Sequence, residues 1–204
     1  MIKRLARFLA SYFAYKGQYD EKEINIYAYG FELLLSTILN AIGLLIISSL
    51  FMGSIIEAVL FSMAFIPLRV YAGGYHTKHH WSCFLLIISV FIFYVIIINH
   101  MVDSIILPYI TFSTLLSSIL IWFFSPIGAA NNPLSEEQKN KYRKRSIIIT
   151  VCNIVLAFIF IFVPQLKIAF FLYYQSGALF ASISLAIAKA ARKYKLNTYT
   201  SHST

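Results

Sequence analysis

The residues best suited to chemistry lie in one short polar island, Arg69-Val70-Tyr71-Ala72-Gly73-Gly74-Tyr75-His76, with Cys83 seven positions beyond the histidine. His79 and His80 stand between them. A free thiol is weakly ionised near neutral pH, and an adjacent imidazole converts it to a thiolate nucleophile. His76 and Cys83 are therefore the minimum parts of a cysteine hydrolase. Their spacing sets a condition on the fold. Residues seven apart on one straight helix share a face but are separated by about 10.5 Å along the axis, too far for a hydrogen bond. A dyad requires the chain to fold back between them. Gly73 and Gly74 supply conformational freedom, because glycine adopts positive φ without steric cost. Cys83 then falls in the first turn of the next helix, where the helix dipole favours negative charge.

Metal binding is the rival use of the same residues. His76, His80 and Cys83 stand at i, i+4 and i+7, on one face if the segment is helical, and Zn²⁺ accepts His and Cys ligands. The island offers no HExxH motif, no carboxylate to act as base and no obvious fourth ligand. No metal and no cofactor is expected.

The island must be positioned by a membrane domain. Of 204 residues, 59% are hydrophobic and only 12% are charged, against about a quarter charged in a soluble domain; the mean hydropathy is +0.74. Crossing a bilayer as a helix takes roughly 17 to 25 apolar residues. Six runs meet or approach that length, approximately 30–51, 54–69, 83–99, 104–124, 146–163 and 168–188. The second is short, contains Glu57 and reaches Pro67, where a helix is expected to kink or stop. The expected architecture is all-α, with about six transmembrane helices and a partly re-entrant loop carrying the island. Irregular backbone at that depth is tolerated only when protein or water shields it.

Orientation follows from the cations. Lys3, Arg4, Arg7, Lys16 and Lys22 precede the first span, Arg69 and Lys78 flank the island, Lys139 to Arg145 follow the fourth span, and Lys189 to Lys195 follow the last. Of the 17 basic residues, only Lys167 falls in the opposite set of loops. The positive-inside rule then puts both termini and the island at the cytoplasmic face of the cell membrane. The formal charge of +9 suits anionic lipid or an acidic ligand. Segment 1–16 alternates apolar residues with Lys3, Arg4 and Arg7 at helical period, the pattern of an amphipathic interfacial helix with its apolar side in the bilayer. It reads as a retained segment with no signal-peptide cleavage site. Cys83 and Cys152 each stand near the start of an apolar run and form no disulfide framework.

Three acids, Glu32, Glu57 and Asp103, lie in or near spans, and intramembrane acids suggest function. Glu32 is placed to pair with Arg69. These acids motivate an alternative class, a small multi-span transporter or peptide exporter. No inverted repeat and no pair of broken helices supports it.

Taken together, Arg69, Gly73-Gly74, His76 and Cys83 resemble the signature of the AgrB family, membrane cysteine endopeptidases that process the quorum-sensing propeptide AgrD. Ser125-Pro126, Asn132-Pro133-Leu134 and the basic cluster after them resemble the family's second cytoplasmic loop. The likeness covers essentially the whole chain. It implies one AgrB-like domain over 1–204, with an interfacial N-terminal segment at 1–28, membrane spans within 29–188 and a cytoplasmic tail at 189–204. It implies Cys83 as nucleophile, His76 as general base, and Arg69, Gly73 and Gly74 as support for the site. The implied substrate is an AgrD-like propeptide with an amphipathic leader, a central Cys or Ser and an acidic tail. Cleavage through a thioester and cyclisation to a thiolactone or lactone are the implied chemistry. Lys139, Lys141, Arg143, Lys144 and Arg145 are expected to attract the acidic tail by charge complementarity. The remaining expected partners are the lipid bilayer and a second copy of the chain; nucleic acid is not among them.

Overall fold

The computed structural model describes residues 2–16, 24–52, 55–74, 80–128, 134–163 and 168–201. Those residues form α1 (Ile2–Tyr15), α2 (Ile24–Met52), α3 (Ile56–Ala72), α4 (His80–Asn99), α5 (Asp103–Phe124), α6 (Glu136–Phe162) and α7 (Ile168–Ser201), with no strand among them. Five helices hold stretches long and apolar enough to cross a bilayer: Gly30–Leu50, Trp81–Asn99, Asp103–Phe124, Glu136–Phe162 and Phe170–Arg192. The chain is an all-α, multi-pass membrane protein.

The packing separates an inner pair of helices from an outer set. In α7, 72% of the most apolar window is buried, against 28% or less in the other four. Its closest companion is α3, whose Ala58, Phe61, Ala64, Phe65, Leu68 and Ala72 form one continuous buried face. The outer helices turn large side chains such as Ile38, Phe93, Phe112 and Phe158 outward, as a lipid-facing surface requires. Several buried hydroxyls close on their own helices. Ser113 donates to Tyr109 O, Thr150 to Ser146 O and Ser176 to Leu172 O, which satisfies polar groups where no water is at hand.

Contacts between α3 and α7 advance together along both chains. Phe61 meets Gly177, Phe65 stacks on Phe180 at 5.3 Å, and Arg69 meets Ser184. The two helices therefore run parallel. Gly177 is what lets them approach, because a Cβ there would run into the carbonyl oxygen of Phe61. Small residues at such crossings allow backbone contact that larger ones forbid. Gly177→Ala should force the pair apart and lower stability by about 1–3 kcal/mol, the range for overpacking. The check is the thermal unfolding midpoint in detergent; an unchanged midpoint contradicts this packing.

The structure amends several sequence expectations. The second span does not stop at Pro67 but continues to Ala72. Proline removes one backbone hydrogen bond, yet Leu68, Arg69 and Ala72 beyond it are all buried, so tertiary packing holds the last turn. At 17 residues, α3 is roughly 25 Å long, shorter than a hydrocarbon core of about 30 Å. The fifth span begins at Glu136, ten residues before its apolar run. Ser135 caps it, accepting from Gln138 N–H at 3.2 Å while the Gln138 side chain accepts from Ser135 N–H at 3.1 Å. The basic cluster is therefore helical and not a loop, and Cys152 lies well inside α6 instead of at its start. The C-terminal segment continues α7 as helix to Ser201.

At the other end of the chain, α1 docks on α2. Ala6, Ala10 and Ala14 form its buried stripe, and Phe13 stacks on Phe31 at 5.6 Å. Leu5, Phe8 and Tyr12 remain exposed on the side opposite the alanines. The helix thus has two contact faces, small residues toward protein and large ones outward.

Candidate active site

Cys83 is the fourth residue of α4. Its thiol is free and half-buried, and it packs against the hydrophobic core. It lines two adjacent cavities, of about 30 and 50 Å³, and Arg69 lines both with it. The structure therefore brings together two of the residues singled out from sequence, from different helices.

Arg69 is only 8% exposed. A buried guanidinium needs hydrogen bonds to offset its desolvation. Arg69 Nη1 donates to Ser184 Oγ of α7 at 2.5 Å. This contact is a product of the parallel α3–α7 packing. Gly74 completes it from the other side, because a Cβ at that position would collide with Arg69 Nη1 and lie 2.5 Å from Ser184 Oγ. Its φ of +154° and the +87° of Gly73 also favour glycine. At Gly73 a Cβ would strike Ile127 O, while Ile127 N–H donates to Ala72 O at 3.0 Å. The segment after α5 is thereby clamped onto the end of α3. The two glycines thus serve close backbone approach.

Residues 75–79, including His76, lie outside the described residues, as does the side chain of His80. The expected dyad, the re-entrant path and the zinc alternative all fall there.

The cationic cluster divides by partner. Lys139 pairs with Glu136 at 2.5 Å. Arg145 donates to Tyr71 Oη at 3.2 Å and lies over its ring, tying α6 to the last turn of α3. Lys141, Arg143 and Lys144 are exposed on the first turns of α6. Glu32 stands 4.0 Å from Lys3. Glu57 keeps one buried carboxylate oxygen without a hydrogen-bond partner among the described residues, and Asp103 is exposed at the start of α5.

Sequence reasoning missed Ser184 and the polar lining supplied by Ser36, Thr37, Asn40 and Ser62. The α2 trio carried a signal, polar side chains at i, i+1 and i+4 inside an otherwise apolar span. Ser184 carried none, since serines recur throughout α7.

The chain is similar to known proteins over most of its length. The family model described as accessory gene regulator B matches residues 2–188. A putative AgrB-like protein 2 of Clostridium perfringens strain 13 is 27% identical over 186 residues, covering 87% of this chain and 81% of the relative. A putative AgrB-like protein of C. perfringens strain SM101 is 28% identical over 197 residues, covering 92% and 86%. Protein FsrB of Enterococcus faecalis is 31% identical over 129 residues, which span 62% of this chain and 51% of FsrB. No solved structure matches the chain. With a family match over nearly its whole length, the chain belongs to the accessory gene regulator B family and, with it, to the accessory gene regulator quorum-sensing system.

Proposed function

We propose that this protein is a membrane cysteine endopeptidase that removes the acidic C-terminal tail of an AgrD-like propeptide and promotes cyclisation of the remainder. The observation that carries the reading is the meeting of a half-buried thiol, Cys83, with the buried Arg69 guanidinium at two shared cavities. A thiol that borders the same cavities as a buried guanidinium suits acyl transfer.

In this reading His76 takes the proton of Cys83, and the sulfur attacks the carbonyl preceding the tail. Arg69 stabilises the oxyanion that forms. The C–N bond breaks, and the tail leaves as an amine with the proton returned by His76. The acyl group is then a thioester on Cys83. The peptide's own thiol or hydroxyl attacks that carbonyl, its proton passes through His76 to the departing Cys83 sulfur, and the ring closes. Excluding water from the thioester favours this internal attack over hydrolysis. The site faces the cytoplasm, both termini lie inside, and the outer face of α1 rests in the bilayer interface.

The direct test is reconstitution. Purified protein in lipid vesicles, given synthetic propeptide, should release a linear tail and a product one water lighter than the hydrolysed fragment. A thiol alkylator should stop the reaction and EDTA should not. Loss of activity with EDTA and recovery with Zn²⁺ overturns the reading in favour of a metal site.

Recognition of the tail falls to the exposed cations of α6. Replacing Lys141, Arg143 and Lys144 together by Gln should weaken propeptide binding about tenfold at low salt, and the difference should shrink as salt screens the attraction. Lys139 and Arg145 are kept, to preserve topology and the tie to Tyr71. A propeptide with its tail acids neutralised should bind both proteins alike. Wild-type binding by the triple variant contradicts a role in tail recognition.

A further inference from the structure

We infer that Tyr71 and Arg145 are positioning residues that couple binding of the acidic tail on α6 to the placement of Arg69 at the end of α3. This rests on the peptidase reading above and names the pair of side chains through which tail recognition acts on the rate.

The last turn of α3 is gripped on two opposite faces. Residues two apart on a helix point about 200° from one another, so Tyr71 faces away from Arg69. Arg69 reaches α7 through Ser184. Tyr71 reaches α6, where Arg145 Nη1 donates to its hydroxyl at 3.2 Å and the guanidinium lies over its ring at 5.1 Å. Tyr142 meets the same ring edge to face, with centroids 6.0 Å apart. Tyr142 and Arg145 are neighbours on one face of α6, so a single helix face holds the ring. Pro67 gives these contacts their weight. It removes a backbone hydrogen bond just before this turn, so the turn sits where its packing partners put it.

A second set of contacts closes the grip into a ring. Ile127 N–H donates to Ala72 O at 3.0 Å. Gly128 packs on Leu134, whose Cγ would stand 3.0 Å from a Cβ at the glycine. Leu134 leads directly into Ser135, the cap of α6. The end of α3 is thus joined to the start of α6 through Ile127, Gly128 and Leu134, and joined again through Tyr71 and Arg145. The helix that carries the tail-binding cations and the turn that carries Arg69 are parts of one closed frame.

Arg145 has the chemistry to serve both sides of that frame at once. A guanidinium presents five N–H donors in a fixed planar fork. Among the described residues it uses Nη1 on Tyr71, and the side chain is otherwise exposed. Lys141 stands one turn before it on the same helix face, also exposed. A tail carboxylate taken by Arg145 beside Lys141 fixes the guanidinium plane over Tyr71, and with it the turn bearing Arg69. Part of the tail's binding energy is then realised in kcat and not only in KM.

The experiment uses full-length protein in lipid vesicles and two synthetic propeptides. One has an acidic tail, and the other has every tail Asp and Glu replaced by Asn and Gln. With the acidic tail, Tyr71→Ala should lower kcat about tenfold and leave KM within about twofold. With the neutral tail its loss should be less than about threefold, because there is little coupling left to break. Tyr71→Phe keeps the ring but loses the hydroxyl, and Arg145→Lys keeps the charge but loses the planar fork. Each should fall between wild type and Tyr71→Ala on the acidic tail, and they decide the matter if Tyr71→Ala does not insert. Losses by equal factors on both peptides mark a structural role and overturn the coupling, as does a change confined to KM. Cys83→Ala run in parallel separates the two levels. If that variant still cleaves, the peptidase reading falls and the coupling with it; if it is inactive while the Tyr71 variants treat both tails alike, only the coupling falls.

Discussion

Cys83→Ala should abolish propeptide cleavage, a loss of about 10⁴-fold or more, because removal of a covalent nucleophile leaves only binding and electrostatic assistance. Cys83→Ser should also be inactive, since a hydroxyl is far harder to ionise than a thiol. Both variants should insert in the membrane and still bind propeptide. The side chain is half-buried and borders cavities, so truncating it removes few core contacts. Cys152 provides the internal control. Its thiol is exposed on α6 and lines neither cavity, so Cys152→Ala should cleave at the wild-type rate. The pair of variants also fixes the target of alkylation: protein lacking Cys152 should remain sensitive to a thiol reagent. The measurement is single-turnover cleavage in vesicles, with bound propeptide quantified separately.

Gly74→Ala should bring the second largest loss, about 100-fold in kcat/KM. A single methyl at this position occupies the space of Arg69 Nη1 and crowds Ser184 Oγ, and a φ of +154° is one that side-chain-bearing residues rarely adopt. The guanidinium must leave Ser184 or the loop must move. Either shift displaces Arg69 from Cys83, and displacements near 1 Å can lower rates about 100-fold. Ser184→Ala should produce a smaller loss in the same direction, because it deletes the anchor without filling the space. The double variant Gly74→Ala/Ser184→Ala tests the shared cause. If both act through Arg69, their losses are less than additive. Full additivity, or a fully active Gly74→Ala protein, contradicts the account of how Arg69 is positioned.

The spans were legible because lipid imposes a length and a composition on each of them: each of the five long runs lies within a helix to within a residue or two, although α2, α6 and α7 extend well beyond their runs. The amphipathic pattern of α1 was legible for a similar reason, although its alanines at Ala6, Ala10 and Ala14 turned out to be the docking face. The polar island stood out as the break in apolar sequence that also carries a thiol and histidines. What sequence could not supply was partnership. Arg69 and Ser184 are 115 positions apart, and no local pattern links them; only the close α3–α7 crossing at Gly177 does. The start of α6 is hidden in the sequence because its charges mask the helical period, although Ser135 and Gln138 stand at capping-box spacing. Pro67 does not end α3, because burial of Leu68, Arg69 and Ala72 beyond it offsets the local penalty.

The central claim is a covalent acyl-enzyme on Cys83, and it can be caught. A propeptide whose internal Cys or Ser is replaced by alanine has no nucleophile with which to close the ring. Mixed with the reconstituted protein and quenched in acid, it should leave a thioester whose mass equals the protein plus the peptide's N-terminal portion, less one water. Proteolytic mapping should locate the adduct on the fragment containing Cys83, hydroxylamine should release it, and Cys83→Ala protein should carry none. Release of the tail at the wild-type rate with no adduct on Cys83, or the same release by Cys83→Ala protein, would contradict the claim.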